Sequence, residues 1–206
     1  MNALILVDVQ NDFLPGGALP VENGFSIFPA INFIQDKFDL VVATQDWHPK
    51  NHKSFASNHP GKNPFDVITL GGLEQVLWPD HCVQGSRGAE FHPLLQMDCV
   101  EAIFRKGMDP EIDSYSGFFD NGHRKSTGLA GYLRERNIDS VFVCGLAGDY
   151  CVLYTAKDAL QSGFKTSLIE DASRAISKEG FLKAKEEVRA LGGKIINSDD
   201  ILRELD

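Results

Sequence analysis

The chain has 206 residues, of which 43% are hydrophobic and 24% charged, and its formal net charge is -9. This length suits one sizeable core, so we predict a single domain over residues 1–206. The acidic balance argues against nucleic acid as a partner, and no apolar stretch approaches the roughly 20 residues of a membrane span.

Apolar runs and helical patterns alternate along the chain. The first half of the chain has a strand ALILVDV near the start, a helix with Phe25, Phe28, Ile31 and Ile34, and strands DLVVATQD from Asp39 and EAIFRKG from Glu101. The second half has a helix with Leu129 and Leu133, strands SVFVCGL from Ser140 and KTSLIED from Lys165, a helix from Leu182 to Val188, and a strand KIINS from Lys194. A final helix lies in SDDILRELD and is capped by Ser198. Near-continuous apolar strands suit a sheet covered on both faces. The alternation predicts a doubly wound α/β fold with a mainly parallel sheet.

The first apolar run carries no basic leader and no cleavage site, so we read it as a strand and not as a signal peptide. The cysteines are far apart and form no CxxC pair: Cys82, Cys99, Cys144 and Cys151. Reduced thiols are therefore expected, in a cytoplasmic protein. The sequence leaves the oligomeric state open and is compatible with a homo-oligomer.

Two long segments interrupt the alternation, residues 47–99 and 107–124. Long loops in a compact domain are usually functional or disordered. Their aromatic residues favour a function, and Phe13, Trp47, Trp78 and Tyr115 are candidates to wall a pocket for a planar ring. Side chains of this kind more often belong to the core, and the distinction depends on whether they face the strand ends.

Reactive side chains fall where predicted strands end. Asp8, Asp46 and Lys106 close three strands, and Cys151 follows a fourth by one short turn. Each has a structural explanation by itself, as a loop cap, a solvated strand end or a small core residue. Ligands of open α/β sheets bind at the carboxyl ends of strands, where these four residues are expected to meet.

The meeting of a thiol, an acid and a cation predicts nucleophilic catalysis. A cysteine in the first turn of a helix has its thiolate favoured by the helix dipole, and Lys106 nearby would favour it further. Asp8 is then the candidate base that takes the thiol proton and returns it to a leaving amine. The same helix start offers backbone N–H groups to an oxyanion, and Gly145 and Gly148 permit an unusual turn.

The segment QDWHPKNHKSF places Asp46 and His48 one residue apart, so both reach one ion if the segment is extended. A surface or structural role for this pair is an equal alternative. Spacing leaves the third ligand open between three histidines, His52, His59 and His81. Cys82 is either a soft ligand or a packed residue.

Six motifs in order, VDVQNDF with PGG after it, DWHP, WPDHCV, FRKG, YSGF and GLAGDYCV, resemble the nicotinamidase branch of the isochorismatase-like cysteine hydrolases. The resemblance runs from Asp8 through Cys151 and its following helix. It implies a three-layer α/β/α sandwich. It also implies hydrolysis of nicotinamide to nicotinate and ammonia through a thioester, in NAD salvage, with pyrazinamide as a further substrate.

The resemblance also assigns roles to residues. It implies a catalytic triad of Asp8, Lys106 and Cys151 and an oxyanion hole from the backbone N–H groups of Ala147 and Cys151, with a cis peptide between Leu146 and Ala147. It further implies that Phe13, Trp78 and Tyr115 line the substrate pocket. It also implies a divalent metal site formed by Asp46, His48 and His81. The ion is expected to be zinc, with iron or manganese as alternatives.

One position departs from the family pattern. Gly148 stands where this branch usually has threonine, which predicts a looser loop and either slower catalysis or broader specificity. Three alternatives stay open. They are a related cysteine amidase for carbamoyl or ureido substrates, a metal-hydroxide hydrolase with a structural Cys151, and a non-catalytic protein on the same fold.

Overall fold

A computed structural model describes residues 1–205 of the chain. Its main sheet has six strands, namely β1 (Asn2–Val7), β2 (Leu40–Asp46), β5 (Val100–Lys106), β6 (Ser140–Gly145), β7 (Lys165–Ser173) and β8 (Lys194–Ile196). They are all parallel and lie in the spatial order β5-β2-β1-β6-β7-β8. The predicted parallel α/β sheet is confirmed.

Helices cover both faces of this sheet. They are α1 (Phe28–Ile34), α2 (Leu129–Glu135), α3 (Cys151–Gln161), α4 (Lys178–Ala190) and α5 (Ile201–Leu205). Successive strand residues point to opposite faces. Leu4 and Leu6 of β1 therefore pack with α1 and α5, whereas Ala3 and Ile5 pack with α2, α3 and α4. The result is the three-layer α/β/α sandwich that the motifs imply.

The first long segment contains regular structure that the sequence pattern does not reveal. A two-stranded antiparallel hairpin comprises β3 (Val67–Leu70) and β4 (Leu73–Val76). Both strands have only four residues, of exposed or intermediate burial except for one, so they are shorter and less buried than the central strands of the main sheet. Gly71 and Gly72 have φ angles of 57° and 86° and form the turn between them.

The last helix begins differently from the prediction. Asn197, and not Ser198, caps a short 3-10 turn that precedes α5, through a reciprocal capping box with Asp200. The Ser198 hydroxyl is engaged elsewhere, since it donates to Asp171 at 2.5 Å. Within residues 1–205, no helix combines the length and hydropathy needed to cross a membrane.

Candidate active site

Three adjoining strands and one helix start bring the reactive side chains together. Asp8 directly follows β1, Asp46 and Lys106 are the last residues of β2 and β5, and Cys151 is the first residue of α3. All four are nearly inaccessible to solvent, at 6% exposure or less. The predicted meeting at the carboxyl ends of the strands is what the structure shows.

The ammonium group of Lys106 lies at the centre of this cluster. Its Nζ is 2.9 Å from Oδ2 of Asp8, 2.6 Å from Oδ1 of Asp46 and 3.4 Å from Sγ of Cys151. It also donates to the carbonyl oxygen of Ser114 at 2.8 Å. Burial alone lowers the pKa of Lys106, but the two carboxylates outweigh it, and the pKa lies well above its usual value. Lys106 is therefore a permanent buried cation.

Asp8 has the electrostatics of a proton acceptor. Burial raises its pKa to about 6, against the opposing effect of Lys106. Its Oδ1 accepts the hydroxyl hydrogen of Thr44 at 2.7 Å. Its Oδ2 has an ion-pair distance to Lys106 but no hydrogen-bond donor within the described residues. A carboxylate oxygen of Asp8 and Sγ of Cys151 lie within 4.8 Å of each other, so the Asp8 carboxylate is near the thiol.

The surroundings of Cys151 favour the protonated thiol, which fits the prediction that Asp8 takes the thiol proton. Burial is the largest effect and raises the pKa of Cys151 well above its usual value. Lys106 lowers this pKa, as predicted, but Asp8 and Asp46 raise it further. Lys106 and the helix start therefore do not suffice to hold a thiolate, and attack requires a base. Asp8 is the adjacent carboxylate suited to that task.

The turn before α3 presents backbone donors beside the thiol. The peptide bond between Leu146 and Ala147 is cis. Within the described residues, the N–H groups of Ala147 and Cys151 donate to no other protein group, whereas those of Tyr150 and Val152 both donate to the carbonyl of Ala147. The two N–H groups that the motifs assign to an oxyanion are thus unoccupied by other partners.

Asp46, His48 and His81 form a group that could hold a metal ion, with one donor atom of each within 4.8 Å of the others. Nε2 of His48 is 3.6 Å and Nε2 of His81 is 3.9 Å from Oδ2 of Asp46. In both rings, Nδ1 lies 2.8 Å from a backbone carbonyl, that of Gly107 for His48 and that of Pro79 for His81. A ring that donates from Nδ1 directs the lone pair of Nε2 toward the ion.

The protonation of these donors fits a divalent cation. Lys106 and His48 hold the pKa of Asp46 well below its usual range, although burial opposes them, so it is ionised. Burial lowers the pKa of His81, which leaves its imidazole neutral. Burial also disfavours the charged form of His48, but Asp46 raises its pKa, and a metal ion would replace that proton. Three buried N and O donors suit a divalent ion with open positions.

The other candidate ligands lie outside the group of Asp46, His48 and His81. His52 is buried and forms a second potential group with His48 and Asp113, and its Nε2 has no hydrogen-bond partner within the described residues. His59 belongs to none of the potential metal groups there and contacts the carbonyl of Lys53. Cys82 also belongs to none of these groups and is fully buried, as expected of a packed residue.

A small pocket opens onto the thiol and the metal group. Its walls include the three predicted aromatics and other side chains, namely Phe13, Trp78, Tyr115, Leu19, Asp46, His81, Asp113, Ala147, Tyr150, Cys151 and Ile176. Trp47 is not among them, since its ring lies under the guanidinium of Arg105, 4.0 Å from the ring centroid. A small cavity with apolar walls and few polar groups suits a flat molecule of one ring.

Sequence reasoning missed several supporting residues. The amide of Gln10 pairs with the backbone of Asp46, since Nε2 donates to the carbonyl and Oε1 accepts from the N–H, both at 2.8 Å. Thr44, Tyr150 and Ile176 are further omissions. Gln10 lies two residues beyond Asp8 and Tyr150 directly before Cys151, so proximity to the motifs was the available signal. Ile176 is distant from the motifs in sequence, so no such signal was available for it.

The chain is similar in sequence to known nicotinamidases. A family model described as the Isochorismatase domain matches residues 2–200. The chain is 52% identical over 201 residues to the nicotinamidase of Acinetobacter baylyi, which covers 97% of this chain and 94% of that protein. Among curated relatives, the nicotinamidase/pyrazinamidase of Mycobacterium tuberculosis is 37% identical, over 96% of this chain and 100% of its own.

Solved structures extend the similarity to the fold. The nicotinamidase/pyrazinamidase of Acinetobacter baumanii superposes with a TM-score of 0.94 at 51% identity, over 97% of both chains. The yeast nicotinamidase bound to the inhibitor nicotinaldehyde gives 0.90 at 34% identity, over 96% of this chain and 100% of that one. The pyrazinamidase of Pyrococcus horikoshii in complex with zinc gives 0.77 at 42% identity, over 95% and 98%.

Proposed function

The chain belongs to the isochorismatase domain family, and on this premise we propose that it hydrolyses nicotinamide to nicotinate and ammonia. The observation that carries the proposal is the position of the Lys106 ammonium, within 3.4 Å of Asp8, Asp46 and Cys151. A buried cation in this position joins a proton acceptor, a thiol and a metal group at one cavity. Residues 1–206 then act as a single hydrolase domain.

Substrate binding uses the cavity walls. The pyridine ring lies between Phe13 and Trp78, with Tyr115 beside it, and its carboxamide faces Cys151. Asp46, His48 and His81 hold a divalent ion, which when bound supplies a Lewis acid that accepts a lone pair such as that of a ring nitrogen. We assign zinc, which the similar Pyrococcus horikoshii enzyme contains, with iron or manganese as alternatives.

Acylation proceeds through Asp8 and Cys151. Asp8 takes the thiol proton as Sγ attacks the carboxamide carbon, and the N–H groups of Ala147 and Cys151 donate to the oxygen of the tetrahedral intermediate. Asp8 returns the proton to the amide nitrogen, the C–N bond breaks, and ammonia leaves a thioester on Cys151. A pKa of about 6 lets Asp8 accept and return this proton near neutral pH.

Deacylation uses the same carboxylate. Asp8 takes a proton from water as the water oxygen attacks the thioester carbon. The C–S bond then breaks, the sulfur takes the proton back from Asp8 and becomes the thiol again, and nicotinic acid leaves and ionises to nicotinate. Lys106 keeps its proton throughout and stabilises each negative charge in turn, on Asp8 and on the departing sulfur. Pyrazinamide, a flat heteroaromatic amide of similar size, follows the same route.

The cellular role follows from the reaction. Nicotinamide is released when NAD is consumed, so its hydrolysis is an entry into NAD salvage, and we place the enzyme in the cytoplasm. Its cysteines form no disulfide among the described residues, as the sequence predicts. Nucleic acid and membrane partners have no part in this function, and the oligomeric state stays open.

Ammonia release from nicotinamide by wild type, Cys151→Ala and Cys99→Ala tests the proposal. Cys99 is an exposed free cysteine outside the site and serves as the matched control. Wild type and Cys99→Ala are expected to be equally active, Cys151→Ala inactive, and intact-mass analysis to show a transient nicotinoyl adduct in the active forms.

Other results would support the alternatives. Equal activity in all three proteins would assign the chemistry to a metal-bound hydroxide and a structural role to Cys151. No release by any of them, with release from carbamoyl or ureido compounds, would indicate the related amidase. Silence toward all amides would indicate a non-catalytic protein.

A further inference from the structure

The loop that precedes the nucleophile, residues 146–150, is fixed on one side by hydrogen bonds. The N–H of Gly148 donates to the carbonyl of Arg174 at 2.7 Å. The carboxylate of Asp149 accepts the N–H groups of Ile176 and Ser177 at 3.0 and 2.9 Å. This loop, which we term the nucleophile loop, therefore lies against the segment 174–177.

An aromatic ring also contacts this loop. Gly148 does not adopt the left-handed backbone conformation that favours glycine. A Cβ atom at this position would instead lie 2.7 and 2.8 Å from Cε2 and Cδ2 of Phe181. Real Cβ atoms do not approach other atoms so closely, so a larger residue here would displace the ring of Phe181 or the loop, and the backbone angle is not the constraint.

Helix α4 holds this ring in place. Nζ of Lys185, one turn along the helix, lies 5.1 Å from the centroid of the ring, and Lys185 also pairs with Glu170 of β7. The first turn of α4 approaches the loop at a second point, because a Cβ atom at Gly180 would lie 2.8 Å from Oδ2 of Asp149. The start of α4 thus contacts two adjacent residues of the nucleophile loop, Gly148 and Asp149.

We propose that Phe181 is a positioning residue for the reaction, whose ring packs against the nucleophile loop at Gly148 and so fixes the oxyanion donors Ala147 and Cys151. Gly148 is one residue from Ala147, and both donors lie within three residues of the contact. This inference rests on the proposed function. The substrate ring is bound by other side chains, so Phe181 acts on the transition state and not on substrate affinity.

The first test compares Phe181→Ala with Leu182→Ala, which changes an exposed neighbour on the same helix. Phe181→Ala is expected to lower kcat for nicotinamide about 10- to 100-fold, because small displacements of catalytic groups have effects of this size. KM is expected to stay within about twofold, and Leu182→Ala to match wild type. Phe181→Leu, which keeps most of the side-chain volume, is expected to retain most of the activity and guards against loss of folding.

The second test asks whether a methyl group at Gly148 compensates for the loss of the Phe181 ring. Gly148→Ala alone places a methyl group against the ring and is expected to lower kcat about tenfold or more. In the Phe181→Ala background the same methyl group enters the space that the ring has left. The double variant is therefore expected to be more active than either single variant.

Binding of two ligands separates positioning from general damage. The Cys151 thiol adds across the C=O bond of nicotinaldehyde: sulfur bonds to the carbon, and the oxygen, which takes the thiol proton, faces the oxyanion donors. Nicotinate forms no such adduct. Phe181→Ala is expected to weaken nicotinaldehyde about tenfold and to leave nicotinate unchanged.

Three outcomes would overturn the positioning role. They are a kcat for Phe181→Ala equal to that of Leu182→Ala, a double variant no better than the single ones, or equal weakening of both ligands. A wild-type enzyme that releases no ammonia would instead overturn the proposed function.

Discussion

Gly107→Ala tests the metal site without reference to catalysis. A Cβ atom at Gly107 would lie 2.3 Å from Cε1 and 2.5 Å from Nδ1 of His48. Ordinary contacts begin near 3.4 Å, so the imidazole must move by roughly 1 Å within a packed site. The same movement breaks the 2.8 Å contact between Nδ1 and the Gly107 carbonyl. We expect metal affinity to fall about 10- to 100-fold, the usual effect of losing such an outer partner.

The matched control is Gly61→Ala. Gly61 has a φ of 75°, close to the 65° of Gly107, but no atom lies within 4 Å of a Cβ built there. Both substitutions therefore introduce the backbone strain of a positive φ, and only Gly107→Ala displaces a ligand. Zinc dissociation constants, measured by competition with a chromogenic chelator, make the comparison. Equal affinity in the two variants would refute the assignment of His48 as a ligand held by Gly107.

Two further predictions concern the buried charges. Lys106→Met leaves two carboxylates without their cation, so we expect a loss of about 3 kcal/mol in the free energy of unfolding and no measurable nicotinamide hydrolysis. A urea melt measures the stability and the ammonia assay measures the activity. A variant as stable as wild type would contradict the ion pairing. Because Asp8 must be ionised to accept the thiol proton, kcat/KM is expected to fall about tenfold per pH unit below an apparent pKa near 6. Thr44→Val removes a donor to the Asp8 carboxylate and should move this acid limb to higher pH, whereas an unmoved limb would assign it to another group.

The sequence predicted the sheet and the strand ends because these depend on local signals. Continuous apolar runs end in Asp8, Asp46 and Lys106, and parallel strands bring such ends together wherever they lie in the chain. The choice of His81 over His52 came from the resemblance and not from spacing. It depends on tertiary geometry, since both residues are buried histidines that approach His48.

Features that arise from contacts between distant segments could not be read from the chain. Phe181 is one apolar residue on an amphipathic helix, and nothing local indicates that its ring faces Gly148, 33 residues earlier. The pKa of the Cys151 thiol depends on distant segments for a related reason. Local signals, a helix start and a nearby lysine, favoured a thiolate, but burial and two carboxylates from other strands determine its pKa.

The same ammonium contacts two carboxylates, yet their surroundings give them opposite roles. Asp46 faces Lys106 and two imidazoles, and the pKa of Asp46 is held low, so it remains an anion that can bind a metal. Asp8 shares Lys106 with Asp46, whose negative charge raises the pKa of Asp8, as burial also does. A carboxylate with a pKa near 6 exchanges protons at neutral pH, whereas a strongly acidic one does not. Asp8 is thereby suited to carry the proton between thiol, amide and water, and the low pKa of Asp46 prevents it from competing for that proton.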